Sequence, residues 1–350
     1  MAENRKRDGR VYHRTAKPRK SASRTFGESA DWSDHEGCEA LYRNRPLDLL
    51  RCLRPWQWVK NLLLLVAPFF AFFDGATRDV SGRLFRERVA ADPVALQENL
   101  GLAVVAFILL SGAAYVINDL ADAAADARNP LRRNRPIAAR QVSGAAAGAL
   151  AALCAVGGLA LAWSVSVRVG CCGFFWVAVA YAVIQPLYTF VARRWAEVAA
   201  MLVAGGFVLR AAAGALVVSV RMSPWLLLCV FLLALFVALC KRRSAHFVKA
   251  LPQPTVADGR VLDLEIGALA AVTIACYALY TLSLETRQIF GTQQLVWTLP
   301  LVMLGVFRFL RLTYEDRSAG NPESLILRDP VMWVSLVGWG LACGGILWFA

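Results

Sequence analysis

Predominantly apolar stretches recur nine times along the chain, at about 56-73, 99-118, 144-163, 171-190, 197-219, 223-240, 264-284, 294-312 and 331-350, with polar residues gathered between them. Each is close to the roughly 17 to 25 residues that carry a helix across the hydrocarbon core of a bilayer. Inside lipid every backbone donor and acceptor must be paired within the protein, which leaves only helices or closed barrels. Runs this continuous lack the alternation of barrel strands. The pattern predicts an all-α polytopic membrane protein, a bundle of nine transmembrane helices.

The connections set the orientation. With the N-terminus on the cytoplasmic side, the inner connections hold 16 Lys and Arg and the outer ones 7, before the basic N-terminal tail is counted. Basic residues favour the inner face, so the N-terminus and the inner loops are expected in the cytoplasm, with the protein integral to the plasma (inner) membrane. Residues 1-45 are rich in Arg, Lys, Ser and acidic residues and have few aliphatics. They read as a disordered basic cytoplasmic tail without the apolar core of a signal peptide, and 46-350 read as the membrane domain. His13 and His35 lie in the tail and are given no role.

Composition agrees. Hydrophobic residues make up 58% of the chain and charged residues 18%, and the mean hydropathy is +0.49, values outside the range of ordinary soluble proteins. The net charge of +13 is better matched to anionic headgroups and phosphorylated substrates than to nucleic acid, because a chain this apolar leaves no soluble domain to present a binding surface. The nine cysteines show no C-x-x-C spacing and read as small packing residues.

The second apolar run ends in Asn118-Asp119-Leu120-Ala121-Asp122-Ala123-Ala124-Ala125-Asp126. If the helix continues, at roughly 100° per residue, Asn118, Asp119, Asp122 and Asp126 share an arc of about 100°. Like charges at this spacing oppose a helix by a few tenths of a kcal/mol per pair. A divalent cation would neutralise them, and hard carboxylate oxygens suit Mg²⁺, which bridges carboxylates to substrate phosphates. A solvated acidic helix end is the plainer alternative. Directly after the cluster come Arg128, Arg132, Arg133 and Arg135, so a metal site and a phosphate clamp would lie side by side.

Three further groups extend this chemistry. Lys60 and Asn61 lie one turn into the first span, past the interfacial Trp56 and Trp58; Lys60 either snorkels to the headgroups or meets a phosphate in a polar cavity. Arg210 is thirteen residues past Glu197 in span five, roughly 20 Å along a helix. An arginine that deep costs at least about 2.5 kcal/mol unless it faces a cavity or pairs with an anion. Span six ends in Lys241-Arg242-Arg243, which a stop-transfer cluster would also contain. His246, in the loop beyond it, has no visible partner. The chain has no G-x-x-x-x-G-K, G-x-G-x-x-G, H-E-x-x-H or G-x-S-x-G, which argues against a nucleotide hydrolase, a Rossmann domain, a zincin and an α/β-hydrolase.

The pattern N-D-x-x-D-x-x-x-D at Asn118 to Asp126, at the inner end of span two, resembles the UbiA superfamily of intramembrane prenyltransferases. Further stretches resemble its decaprenyl-phosphate phosphoribosyltransferase branch: Arg54-Pro55-Trp56-Gln57-Trp58-Val59-Lys60-Asn61, Arg135-Pro136-Ile137-Ala138-Ala139, Gly206-Phe207-Val208-Leu209-Arg210-Ala211, Lys241-Arg242-Arg243, and Asn321-Pro322-Glu323 leading to Leu327-Arg328-Asp329. The resemblance runs from about residue 50 to the end of the chain. It implies a nine-helix bundle around a central cavity, open to the cytoplasm and sideways to lipid. It also implies Mg²⁺-dependent transfer of phosphoribose from phosphoribosyl pyrophosphate to a polyprenyl phosphate. Carried onto this chain, Asp119, Asp122 and Asp126 would hold Mg²⁺, supported by Asn118. Lys60, Asn61, Arg132, Arg135, Tyr188, Glu197, Arg210, Lys241 and Arg242 would bind donor or acceptor. Such a transfer needs charge stabilisation on the departing diphosphate and no strong base, consistent with the lack of an evident catalytic His or Cys. In that branch an acidic residue stands at the places of Ala199 and Ala245; here the nearest carboxylate is Glu197, two residues earlier and at another azimuth.

Two alternatives stay open. The same fold could move an isoprenoid chain from a prenyl diphosphate to an aromatic or other small acceptor. A transporter would show internal repeats with paired broken helices, and no such halves are evident. Whether the chain assembles as a homo-oligomer is also open.

Overall fold

The computed structural model describes residues 43–73, 85–191, 195–220, 223–246, 256–315 and 328–349. The expected tail, apart from residues 43–45, and the Asn321-Pro322-Glu323 stretch lie outside the described residues, as do Arg193 and Arg194. Among the described residues there is no β-strand, and eight helices are long and apolar enough to cross a membrane.

In chain order the elements are α1 (Pro46–Cys52), a 3₁₀ segment (Pro55–Leu65) running into α2 (Val66–Phe73), α3 (Phe85–Ala91), α4 (Pro93–Arg128), α5 (Gly144–Val169), α6 (Gly173–Phe190) and α7 (Ala196–Val217). There follow α8 (Pro224–His246), α9 (Val256–Leu282), α10 (Leu284–Phe290), a short 3₁₀ turn (Gln294–Thr298) leading into α11 (Leu299–Glu315), and α12 (Pro330–Phe349). Eight of the nine expected spans are thus single helices of spanning length, counting Gln294–Glu315 as one. The first, 56-73, is instead a composite of 3₁₀ and α-helix.

Local chemistry explains the boundaries. The Asp92 carboxylate accepts from Ala95 N at 3.0 Å, and Pro93 opens α4 with its fixed φ. Helix α4 therefore begins six residues before the expected span. It also runs ten residues past it, so the whole acidic stretch is helical. Ser143 caps α5 through Ala146 N, and Gly170 ends it with a left-handed φ of 71°. Between α4 and α5, residues 129–142 form a chain of turns whose Ile137 and Val142 pack back against α4 and α5.

Two apolar cores hold the bundle. Phe107, Val165, Phe174, Tyr181 and Val217 knit α4 to α7; Phe236, Ile266, Phe309 and Met332 knit α8, α9, α11 and α12. Small residues permit close approach where side-chain packing rather than hydrophobicity must join helices in lipid. A methyl group on Gly158 would lie 3.0 Å from the Ala106 carbonyl on α4. One on Gly214 of α7 would lie 1.8 Å from the Leu64 carbonyl oxygen, so the 3₁₀ segment rests directly on α7 at that glycine.

Candidate active site

The C-terminal half of α4 carries a continuous polar face. Ser111, Tyr115 and Asp119 follow at i, i+4 and i+8, one above another along the helix, and Asp122 and Asp126 continue the row. Asp119, Asp122 and Asp126 are 3%, 8% and 2% exposed, so all three carboxylates are withdrawn from water. Burying a carboxylate requires a paired cation, and arginines supply it. Arg135 Nη1 donates to Asp119 Oδ1 at 2.9 Å and to Asp126 Oδ2 at 2.5 Å, bridging both ends of the row. Arg132 lies 3.6 Å from Asp126 Oδ1. Arg54 donates to Asp119 Oδ1 from the other side.

The neighbouring 3₁₀ segment brings Arg54 and Lys60 to the row. Arg54 takes a left-handed backbone, φ 52°, immediately before Pro55, a conformation that costs an L-residue roughly 1 to 2 kcal/mol. Its guanidinium lies 5.3 Å from the centre of the Tyr115 ring, and Lys60 Nζ lies 6.0 Å from the same ring. Lys60 also donates to Gln57 Oε1 at 3.4 Å. Asn61 is fully buried and donates to Ser111 Oγ at 3.3 Å. Its Oδ1 accepts from Arg210 Nε at 2.9 Å.

The expected residues therefore fall into three groups. Asp119, Asp122, Asp126, Arg132 and Arg135 form one cluster, with Asn118 half-buried on the same helix face. Lys60 borders it through Tyr115. Arg210 is 3% exposed and sits lower, at the level of Ser111, roughly 12 Å along α4 from Asp119. Its guanidinium is engaged by Asn61, by the Gly206 carbonyl and by the Tyr181 hydroxyl.

Glu197, Lys241 and Arg242 make a third group where α7 begins and α8 ends. Arg242 Nη1 pairs with Glu197 Oε1 at 3.2 Å, and Lys241 is exposed. Tyr188 is half-buried near the end of α6 and makes no hydrogen bond to the acidic row among the described residues. Beside this group, Arg243 donates to Asp263 Oδ1 at 2.5 Å and stacks 3.5 Å over the Tyr314 ring. Alanine stands at 199, and Asp263 of α9 is the acidic partner next to the Lys-Arg-Arg run.

Arg54, Tyr115 and Tyr181 were not among the expected site residues. The first had a signal, a basic residue at an Arg-Pro step where a helical run begins. The tyrosines had only their spacing, Tyr115 four residues before Asp119, and an ordinary core aromatic shares it.

The donor chemistry fits Mg²⁺. No three His, Cys, Asp or Glu side chains among the described residues converge as a ready-made cage, and Mg²⁺ is ordinarily bound by one or two carboxylates together with substrate phosphates. Buried carboxylates interleaved with guanidiniums offer that half of a site. The class defined by fold and site is a helical intramembrane protein with an acidic–basic cluster at one end of the bundle.

Residues 88–249 match the UbiA prenyltransferase family. The chain is 29% identical over 323 residues to decaprenyl-phosphate phosphoribosyltransferase of Mycolicibacterium smegmatis, covering 88% of this chain and 95% of that protein. It is also 29% identical over 311 residues to the protein of the same name from Mycobacterium tuberculosis, covering 85% and 95%. Among solved structures, a UbiA homolog from Archaeoglobus fulgidus bound to GPP and Mg²⁺ superposes with a TM-score of 0.58 at 18% identity, covering 87% of this chain and 100% of that one. The chain is thus similar to the UbiA prenyltransferase family over residues 88–249, and it is a membrane transferase.

Proposed function

We propose that this protein transfers a 5-phosphoribosyl group from phosphoribosyl pyrophosphate to a polyprenyl phosphate in the plane of the membrane, with the N-terminus and the acidic row on the cytoplasmic side. The observation that carries the reading is the buried row Asp119, Asp122 and Asp126, whose Asp119 and Asp126 interlock with Arg54, Arg132 and Arg135. The names of the mycobacterial relatives support the same reaction, and the excess of basic residues in the inner connections supports the sidedness.

In this reaction an acceptor phosphate oxygen bonds to the anomeric carbon, the bond from that carbon to the diphosphate oxygen breaks, and pyrophosphate leaves with the electron pair. Asp119, Asp122 and Asp126 would hold Mg²⁺, which supplies charge neutralisation to the departing diphosphate. Arg132 is the most exposed of the cluster's arginines, with 46% of its side chain accessible, and would meet the diphosphate first. Arg54 and Arg135 compensate the carboxylates and present further N–H donors at the same point, so the leaving charge meets pre-oriented partners rather than water. Lys60 at the Tyr115 ring would attract the acceptor phosphate, which is already ionised near neutrality and needs no base.

The same carboxylates could bind a prenyl diphosphate, the ligand class named for the Archaeoglobus homolog. The decisive measurement supplies purified protein and Mg²⁺ with polyprenyl phosphate plus phosphoribosyl pyrophosphate, and separately with prenyl diphosphates and small acceptors. Lipid products are identified by mass. Polyprenyl-phosphoribose is expected, and products from prenyl diphosphates alone would overturn the assignment.

A further inference from the structure

The 3₁₀ segment Pro55–Leu65 is eleven residues long, whereas 3₁₀ runs beyond three or four residues are uncommon because their hydrogen bonds are poorer. Something outside the segment must hold it, and α7 presents the means. Asn61 meets Arg210, and the carbonyl of Leu64 meets Gly214. From Asn61 to Leu64 is one 3₁₀ turn of three residues, about 6 Å; from Arg210 to Gly214 is four residues of α-helix, also about 6 Å. The two helices are therefore matched turn for turn. An α-helical segment would advance only about 4.5 Å over the same three residues and lose the register.

Arg210 is the centre of that match. Its Nε donates to Asn61 Oδ1 at 2.9 Å, Nη1 to the Gly206 carbonyl at 3.1 Å and Nη2 to the Tyr181 hydroxyl at 2.5 Å, and it stacks 4.5 Å from the Tyr181 ring centre. Asn61 passes the connection to Ser111 of α4, one helical turn from Tyr115 and two from Asp119. We infer that Arg210 is a positioning residue: it locks the Pro55–Leu65 segment in register on α7, and the locked segment presents Arg54 and Lys60 to the acidic row. Its three hydrogen-bonded donors all serve protein groups, so it acts on a substrate phosphate through Asn61 and the segment. The inference rests on the proposed function only for what Arg54 and Lys60 bind.

The test uses the full chain in detergent micelles and reads Lys60 directly. Amine-reactive labelling of Lys60, quantified by mass spectrometry against the exposed Lys241, is compared in wild type, Arg210→Gln, Asn61→Leu, the double variant and Gly214→Ala. Because a hydrogen bond to a buried charge is strong, each single variant should speed Lys60 labelling about tenfold, and the double variant should add little because both singles break one contact. Gly214→Ala should do the same with Arg210 intact, which keeps the test open if an Arg210 variant fails to fold. An unchanged Lys60 rate in all of them overturns the inference.

Calorimetric binding of magnesium pyrophosphate to the same samples forms the second arm. Weakening by Arg210→Gln, Asn61→Leu and Gly214→Ala alike, about tenfold each, is expected. Weakening by Arg210→Gln alone would make Arg210 a direct phosphate contact and overturn the inference. If wild type binds no pyrophosphate while labelling still responds to the variants, the proposed function fails and the lock stands.

Discussion

Ion pairs gather at the loop-rich end of both halves of the bundle, yet those along α4 are buried and those joining α7, α8 and α9 are wet. Asp119 and Asp126 are 3% and 2% exposed and share one guanidinium. The side chain of Glu197 is 64% accessible, that of Asp263 39%, and each has its own arginine. Removing one partner of a buried pair leaves an uncompensated charge in low dielectric, whereas exposed pairs contribute about 0 to 1 kcal/mol. The first group is thus a buried store of compensated charge that a phosphate and a cation could rearrange. The second is an electropositive rim that attracts anions at long range.

The largest effect expected from this contrast is on turnover. Asp122→Asn keeps the shape of a buried side chain on α4 but removes its charge, and should lower turnover at least a hundredfold, about the loss seen when one preorganised charge-stabilising group is deleted. The thermal midpoint in detergent should stay near that of wild type. Near-normal turnover would reduce the row to a buried structural ion-pair cluster with no part in the reaction.

Next comes stability. Arg135→Gln leaves Asp119 and Asp126 to Arg54 and Arg132 alone, and should destabilise the protein by about 3 kcal/mol. Adding Asp126→Asn in that background should recover part of the loss, since the charge left behind is what destabilises. If the second change makes matters worse, Arg135 contributes through packing rather than charge. On the wet side, Glu197→Gln should change stability by less than about 1 kcal/mol and alter the KM for the donor only a few-fold. A tenfold or larger loss of turnover would make the α7–α8 group an equal half of the site.

How far the site was legible from the chain follows the same division. The nine apolar runs and the acidic face of α4 are period signals carried by many residues, and eight runs became spanning helices with boundaries shifted by up to ten positions. The 3₁₀ form of the first span was not legible, because Leu62 to Leu65 are uniformly apolar and mark neither period 3.0 nor period 3.6. Its cause lies 150 residues away, at Gly214 and Arg210. Asn61 and Arg210 were both singled out, but their hydrogen bond to each other is a tertiary fact. Arg135 was expected to hold phosphate, and its position between two carboxylates depends on the turns of residues 129–142 folding back onto α4.

The smallest effect concerns a pair at a helix end in the other half of the bundle, where Asp329 is 8% exposed. Asp329 lies just before α12; its Oδ1 caps Met332 N at 3.0 Å, and Arg308 donates to it through Nη2 at 2.5 Å and Nε at 3.1 Å. The Arg308 guanidinium and the cap hold its carboxyl below the usual carboxylate range. A carboxylate lowered on folding contributes stability that is fully present above its unfolded value, near 4, and is lost as pH falls through the folded value. Asp329→Asn keeps an acceptor for the cap but removes the charge. Its deficit in thermal midpoint against wild type should therefore be constant from about pH 7 to about pH 5 and shrink below about pH 4. No deficit at any pH between about 7 and about 2 would assign the contribution of Asp329 to the cap alone. The α11–α12 junction would then be held by an uncharged hydrogen bond, unlike the Arg242–Glu197 and Arg243–Asp263 pairs.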